Sequence, residues 1–314
     1  MMKFLRIAQF LCVFQAALFG VSSSFSVPDK HRPAVSLVGG LEDIESRFSS
    51  VLVFSKDDKK LSSRCSGTKI ANDKFITSAH CFIWEENGKI ISWPSKQSKK
   101  KIYFSFDRKI EKETQLKTAE VKAIFFHPVL SSCLGENKNV ISQCIDSAPD
   151  LAVVEITNSP YFKLAPISFI DFTGVNVGED VTIVGFGFEK ENDENSPKRK
   201  FHVSRVVSQE ALKKVYLENP EEETKVDDEL YFGAFGNALG EQYANLGSGD
   251  SGGPAFITRN KVHRLVGVNS FTFCLQNNIN CEVATNSFFG RLHRGGKYFL
   301  GDWLSKVLTT KPSE

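Results

Sequence analysis

The residues best suited to chemistry lie in a glycine-rich segment, Gly247–Phe256, which reads GSGDSGGPAF. Gly, Ser, Asp and Pro all favour turns, so one interpretation is a flexible surface turn. The other is a loop that presents the Ser251 hydroxyl as a nucleophile, because glycines lack Cβ and let backbone N–H groups approach a reacting atom closely. The segment alone does not decide, because a serine nucleophile needs a base.

Among the six histidines, only His80 stands in a setting that suggests a base. It lies in the sequence FITSAHC, directly after a strand-like run and next to Cys81. Cys65 lies upstream across a turn, and a Cys65–Cys81 disulfide would join two strands and fix the backbone that carries His80. Such bracing suits a catalytic base, which must be held to within about half an ångström.

An acid stands at the head of an apolar strand in the sequence DLAVVEI, where Asp150 comes first. Burying a carboxylate without a partner is costly. One interpretation is therefore an exposed residue that caps the strand, and the other is a buried carboxylate that orients a catalytic imidazole.

These residues follow one another in the order His80, Asp150, Ser251. Ser251 also fits Gly-x-Ser-x-Gly, the nucleophile elbow of a hydrolase class whose order is Ser, acid, His. Only His263 and His293 follow Ser251, with little chain left for a separate acid-bearing strand. The order and the absence of alternating strands and helices therefore disfavour an esterase or lipase of that class.

Composition and charge indicate an ordinary globular chain. The 314 residues are 41% hydrophobic and 24% charged, with a net charge of +2, so neither nucleic acid nor an anionic membrane is an expected partner. Lys3 and Arg6 precede the apolar run 10–21, and three serines follow it. This pattern predicts a signal peptide over residues 1–24, because a membrane anchor would need about 20 apolar residues.

Seven cysteines are present, and one of them, Cys12, lies in the predicted signal peptide. Six cysteines remain after the signal peptide. An even number in an exported chain indicates that they form three disulfides, for which the sequence allows fifteen connectivities. No Cys-x-x-Cys spacing supports a zinc site. The remaining cysteines fall into pairs that are close in sequence: Cys65 with Cys81, Cys133 with Cys144, and Cys274 with Cys281.

Runs of alternating, β-branched and aromatic residues separated by turns predict an all-β sandwich or barrel. These runs are 50–54, 101–106, 151–156, 181–186 and 265–268. Two polar stretches, about 188–200 and 218–230, are expected to be surface loops. At the C-terminal end, Leu300, Trp303, Leu304, Val307 and Leu308 share one face of a helix.

Five motifs together make the chain resemble the chymotrypsin/trypsin family of serine proteases. They are LVGG at 37–40, TSAHC at 77–81, DLAV at 150–153, GFG at 185–187 and GDSGGP at 249–254. The resemblance runs from about Leu37 to the end of the chain. It implies two packed antiparallel six-stranded β-barrels, about 37–157 and 158–314, with a C-terminal α-helix.

The same resemblance implies a mechanism. The Ser251 hydroxyl attacks the scissile carbonyl, His80 takes and returns its proton, and Asp150 orients His80. The backbone N–H groups of Gly249 and Ser251 form the oxyanion hole. Removal of a propeptide, 25–36, frees an amine at Leu37 that pairs with Asp250, so the enzyme is made as a zymogen.

The chain departs from the family pattern at the activation site and in the specificity pocket. Ser36 precedes Leu37 where the family has Arg or Lys, which indicates an activating protease that prefers small residues. Asn245 occupies the base of the pocket, where trypsins have Asp, and Gly247 replaces a cysteine, which leaves Cys274 to pair locally with Cys281.

The walls of the specificity pocket also differ from the family pattern. Ser270, Phe271 and Thr272 match the substrate-binding run, and Thr272 narrows the pocket mouth. Glu282 either points into the pocket and recruits a basic side chain, or points out and leaves the pocket neutral. Trypsin-like specificity is therefore not assigned.

The sequence thus predicts a secreted, extracellular or periplasmic, monomeric serine endopeptidase with protein or peptide substrates. No cofactor or metal is expected: the resemblance allows calcium, but the sequence has no loop of clustered carboxylates to bind it. The alternative is a catalytically silent homologue that acts as a binding protein. Three intact triad residues disfavour that alternative, whereas the unusual activation site and pocket favour it.

Overall fold

Antiparallel β-strands make up most of the part of the chain that this computed structural model describes. The described residues are 41–42, 50–57, 60–86, 89–92, 101–105, 121–136, 144, 147–156, 169–187, 199–208, 210–211, 227, 229–235, 246–274, 284–294 and 296–310. The predicted signal peptide, the predicted propeptide and Leu37 lie outside them.

Fifteen strands and two α-helices are present in these ranges. The strands are β1 (Leu41–Glu42), β2 (Ser50–Asp57), β3 (Lys60–Lys69), β4 (Lys74–Thr77), β5 (Ile83–Glu86), β6 (Lys89–Ser92), β7 (Lys101–Ser105), β8 (Val121–Phe126), β9 (Ala152–Ile156), β10 (Asp180–Gly185), β11 (Lys200–Val206), β12 (Tyr231–Phe235), β13 (Pro254–Arg259), β14 (Val262–Cys274) and β15 (Ala284–Arg291). The helices are α1 (Pro128–Glu136) and α2 (Leu300–Thr309).

The first sheet has six strands in the order β7-β2-β3-β4-β9-β8, and all its pairings are antiparallel. All five residues of β9 are buried; four of them are apolar, and the fifth, Glu155, pairs with Lys74 and Lys122. Its core contains Phe75, Phe82 and Val154, and Leu130 of α1 packs into the same cluster. Cys133 of α1 is disulfide-bonded to Cys144.

The second sheet is a closed barrel. Its strands follow the order β11-β10-β13-β14-β15-β12, an additional pairing of β11 with β12 closes the ring, and β1 extends it beside β11. Asn260 and Lys261 connect β13 to β14 with φ of 54° and 63°. Positive φ at both central residues is typical of the tight turns that match strand twist in a hairpin.

Another apolar cluster joins the first sheet to the barrel and to α2. Ile76 and Val153 of the first sheet pack with Val184 and Val268 of the barrel in this cluster. The predicted stripe on α2 supplies Leu300, Leu304 and Val307 as buried members, with Trp303 and Leu308 packed against them. The site described below lies between the two sheets, which this cluster holds together.

The observed architecture confirms the predicted all-β barrel fold with a C-terminal helix. The five predicted strand runs correspond to β2, β7, β9, β10 and part of β14. The helix α1 was not predicted. The two predicted surface loops lie mostly outside the described residues, and Arg199 and Lys200, at the end of the first, are buried. Within the described ranges, no helix is both long enough and apolar enough to cross a membrane.

Candidate active site

His80 lies in a short 3-10 helix, Ala79–Phe82, directly after β4. The Cys65–Cys81 disulfide joins this helix to β3, with 6.3 Å between the two Cα atoms. The Thr77 hydroxyl donates to the Ser66 carbonyl at 2.7 Å, and the Ser78 hydroxyl donates to the Asn269 carbonyl at 2.6 Å. The backbone that carries His80 is therefore held by a covalent bond on one side and by two buried hydroxyls on the other.

His80 and Asp150 form a two-point contact. The Nδ1 atom of His80 lies 2.7 Å from Asp150 Oδ2, and the His80 backbone N–H donates to Oδ1 at 2.9 Å. An ionised carboxylate only accepts hydrogen bonds, so Nδ1 carries a proton and donates it. In the neutral imidazole, Nε2 is then unprotonated and carries a free lone pair. The His80 side chain is 31% exposed, so the imidazole is accessible from solvent.

Asp150 is fully buried, and its carboxylate accepts three hydrogen bonds. Besides the two His80 groups, the Ser270 hydroxyl donates to Oδ2 at 2.5 Å. Burial raises the pKa of Asp150, but the charge of His80 and the hydrogen bonds from His80 and Ser270 outweigh burial and hold this pKa below its ordinary value. Asp150 therefore stays ionised, and it is not an exposed strand cap.

Burial and the contact with Asp150 also change the pKa of the His80 imidazole. Burial lowers the pKa of His80, whereas the charge of Asp150 and its hydrogen bond raise it, and the outcome is a pKa above the ordinary imidazole value. A stronger base than free imidazole results, which suits a group that must accept a proton and later return it.

The glycine-rich segment forms a tight loop that leads into β13. Gly249 and Gly252 adopt φ of 96° and 86°, a region that side chains with Cβ rarely enter. A Cβ on Gly252 would also collide with the Thr77 hydroxyl and the Ser66 carbonyl. The loop therefore needs glycine at these positions, because it packs directly against β3 and β4.

Ser251 lies close to the His80–Asp150 pair, although no hydrogen bond joins its hydroxyl to His80. The Ser251 hydroxyl donates to the Ser270 carbonyl at 3.3 Å, while the hydroxyl of the same Ser270 binds Asp150. The Ser251 carbonyl lies 3.9 Å from the sulfur of Cys81, the neighbour of His80. The structure thus brings the three predicted catalytic residues together, with the serine hydroxyl turned toward Ser270.

Two backbone donors of the nucleophile loop are unpaired. Among the described residues, the N–H groups of Gly249 and Ser251 form no hydrogen bond, whereas the neighbouring N–H groups of Asp250, Gly252 and Gly253 all do. Unpaired backbone donors of this kind can receive an anionic oxygen.

Asp250 connects the nucleophile loop to the segment after β10. Its side chain is fully buried, and its carboxylate accepts the N–H groups of Gly187 at 2.7 Å and Gly247 at 2.9 Å. The predicted ion-pair partner, Leu37, lies outside the described residues.

Three side-chain contacts of the site were not predicted from the sequence. Ser270 was predicted as a substrate-binding residue, yet its hydroxyl binds Asp150. The amide of Asn269 donates to the carbonyls of Val184 and Asp250 at 2.9 and 3.1 Å. The Ser66 hydroxyl donates to the Gly249 carbonyl at 2.9 Å. All of these contacts join distant parts of the chain, and no local motif announces them.

The predicted specificity pocket is described only in part. The Phe271 ring packs edge-on against Tyr231, with 5.1 Å between ring centroids. The backbone of Thr272 lies in β14 opposite Ser287. Asn245, Glu282 and the predicted Cys274–Cys281 bridge lie outside what the structure describes.

One group in the described part of the chain has ligand atoms close enough to hold a metal ion: Cys65, His80 and Cys81. Both sulfurs belong to the Cys65–Cys81 disulfide. They therefore offer no thiolates, which are the metal-binding form of cysteine.

Comparison with known proteins agrees with this geometry. A family model described as Trypsin matches residues 38–289, which is most of the 314-residue chain. No curated protein matches the chain significantly.

The contact between His80 and Asp150 predicts a measurable titration shift. Replacing Asp150 with Asn removes the charge that raises the pKa of His80, so this pKa should fall. A histidine NMR titration, with the His80 signal assigned from a His80→Gln variant, measures the change. Asp302→Asn, which alters a 60% exposed carboxylate on α2, is the control and should leave the pKa of His80 unchanged. An unchanged or higher pKa in Asp150→Asn would contradict the described pair.

Proposed function

The chain belongs to the trypsin family of serine proteases, and we propose that it is an active, secreted endopeptidase that uses His80, Asp150 and Ser251 as a catalytic triad. The observation that carries the proposal is the buried, ionised Asp150 against Nδ1 of His80, which leaves Nε2 free to act as a base. Ser251, in the adjacent loop, is the nucleophile.

The chemistry follows from these positions. The Ser251 oxygen attacks the carbonyl carbon of the scissile peptide bond while Nε2 of His80 accepts the hydroxyl proton. His80 then gives this proton to the leaving amine as the C–N bond breaks, and an ester on Ser251 remains. Water, deprotonated by His80, hydrolyses the ester and restores the serine. Asp150 stabilises the imidazolium in both steps without taking a proton.

The two unpaired N–H groups support the proposed oxyanion hole. As the carbonyl carbon becomes tetrahedral, its oxygen gains charge that the N–H groups of Gly249 and Ser251 can stabilise. The Ser251 hydroxyl must first turn from the Ser270 carbonyl to His80. Such contacts are often loose in free enzymes and tighten when substrate binds.

The zymogen proposal rests on the surroundings of Asp250. Strand β1 begins at Leu41, four residues after Leu37, and pairs with β11. Lys200 of β11 faces both Glu42 and Gly185, and Gly187, two residues farther on, donates to Asp250. Four extended residues span about 13 Å, which limits the distance between Leu41 and an amine at Leu37, and we propose that this amine turns to the Asp250 carboxylate.

The specificity proposal follows from Asn245, a neutral residue at the sequence position that forms the base of the pocket in the trypsin family. Without a buried acid there, cleavage should not be confined to sites after Arg or Lys. Ser270, Phe271 and Thr272 are proposed to contact an extended substrate through their backbone. Glu282, if it points inward, would restore a preference for basic side chains.

The second candidate function is a catalytically silent homologue that binds other proteins. The observation in its favour is that the Ser251 hydroxyl bonds to Ser270 and not to His80. The following experiment separates the two candidates.

Purified mature protein should cleave members of a peptide library, with products identified by mass spectrometry. Ser251→Ala removes the nucleophile and should lower kcat by about 10⁶-fold. Ser248→Ala, which truncates an exposed serine of the same loop, is the matched control and should cleave like the wild type. Equal turnover in Ser251→Ala and wild type, or no cleavage by a mature wild-type protein, would contradict the proposed triad.

The active secreted protein should begin at Leu37. We expect N-terminal sequencing to find this residue in the active form and an earlier start in an inactive precursor, because only a free amine at position 37 can pair with Asp250. Full activity in a chain that begins elsewhere would exclude the zymogen proposal.

A further inference from the structure

Ser66 belongs to β3 of the first sheet, yet its side chain contacts the nucleophile loop and the end of β10 in the barrel. It is fully buried. Its hydroxyl donates to the Gly249 carbonyl at 2.9 Å and accepts the Phe186 N–H at 3.0 Å. Because the hydroxyl accepts from Phe186, its proton is directed at the Gly249 carbonyl. A buried polar side chain of the first sheet thus connects two segments of the barrel.

The backbone of Ser66 is also hydrogen-bonded to the same loop. Its N–H donates to the Ser251 carbonyl at 2.6 Å, and its own carbonyl accepts the Thr77 hydroxyl at 2.7 Å. Ser66 therefore holds the carbonyls of both Gly249 and Ser251. These are the two residues whose N–H groups we assigned to the oxyanion hole.

The hydrogen bond to the Gly249 carbonyl matters because the glycine backbone is otherwise unusually free to rotate. Gly249 has φ of 96°, and a residue without Cβ changes its backbone angles at little cost. On the other side of the same peptide group, the Asp250 N–H donates to the Gly247 carbonyl at 3.1 Å. With both its oxygen and its N–H bound, the Gly249–Asp250 peptide has one orientation, and the donors on either side of it are fixed.

We propose that the Ser66 hydroxyl is a positioning group for the oxyanion hole, acting across the boundary between the two sheets. It does not touch the substrate. It holds the Gly249–Asp250 peptide in the orientation that keeps the N–H groups of Gly249 and Ser251 directed at one point. This role rests on the proposed endopeptidase function and adds a residue that the catalytic triad does not include.

The test compares Ser66→Ala with Thr68→Val in the mature enzyme. Thr68 is two residues farther along β3 and equally buried, but within the described residues its hydroxyl has no hydrogen-bond partner. Rates are measured on a peptide selected from the library and normalised to active sites labelled by a fluorophosphonate, so that misfolded molecules do not count.

Ser66→Ala should lower kcat by about 10-fold with KM within about 2-fold, because losing an oxyanion donor outright costs about 10²–10³ in rate and a misdirected donor costs less. A peptide aldehyde, whose adduct with Ser251 places an oxyanion in the hole, should bind about 10-fold more weakly. The amine product of cleavage, which leaves no oxygen in the hole, should bind Ser66→Ala as it binds the wild type. Thr68→Val should match the wild type in all three measurements.

Equal kinetics of Ser66→Ala and Thr68→Val would overturn the proposal, as would equal weakening of aldehyde and product binding. If Ser66→Ala and Ser66→Gly both fail to fold by near-ultraviolet circular dichroism while Thr68→Val folds, the hydroxyl is structural and the positioning role is rejected. A mature wild-type protein without activity would remove the proposed function and this role together. An active wild type with an unaffected Ser66→Ala would remove the role of Ser66 alone.

Discussion

The burial of one carboxylate, Asp150, is the constraint on which the rest of the site depends. An ionised group without contact with water must be matched by donors, because an unpaired buried charge is strongly destabilising. Asp150 receives its donors from both sheets: the backbone N–H and Nδ1 of His80 from the first, and the Ser270 hydroxyl from the barrel. The match can exist only when the sheets are packed together, so the geometry of His80 depends on the fold as a whole.

The nucleophile loop is held across the same boundary. The Ser78 hydroxyl and the backbone of Asn269 connect the His80 segment to β14, and Ser66 binds the carbonyls of Gly249 and Ser251. These buried hydroxyls and backbone groups lie beside the apolar cluster that joins the sheets. The apolar cluster packs the two sheets together, and the hydrogen bonds fix the position of one sheet relative to the other. The His80 side and the Ser251 side of the site can therefore be contributed by separate sheets and still meet.

The sequence predicts the elements of this site better than the contacts between them. The strand that begins after Asp150, the loop around Ser251 and the apolar stripe of α2 are local patterns, and each was recognisable without a structure. The bond from Ser270 to Asp150 and the bond from Ser66 to Gly249 join residues 120 and 183 positions apart, so no local pattern could announce them. The helix α1 was missed for a different reason. Its nine residues, PVLSSCLGE, contain only one set of apolar side chains at helical spacing, Leu130, Cys133 and Leu134, which is too short to predict a helix. These side chains gain their place from packing and from the disulfide of Cys133 to Cys144.

In the proposed mechanism, Ser251 is an activated nucleophile beside an assembled oxyanion hole. A fluorophosphonate tests both at once, because the serine oxygen must attack phosphorus, fluoride must leave, and the new anionic oxygen must be stabilised. The labelled site is then identified by mass spectrometry of the mature protein, whose N-terminus is sequenced in parallel. We expect stoichiometric labelling of Ser251 in a chain that begins at Leu37. A chain that begins at Leu37 and is not labelled, or is labelled at another residue, would contradict it.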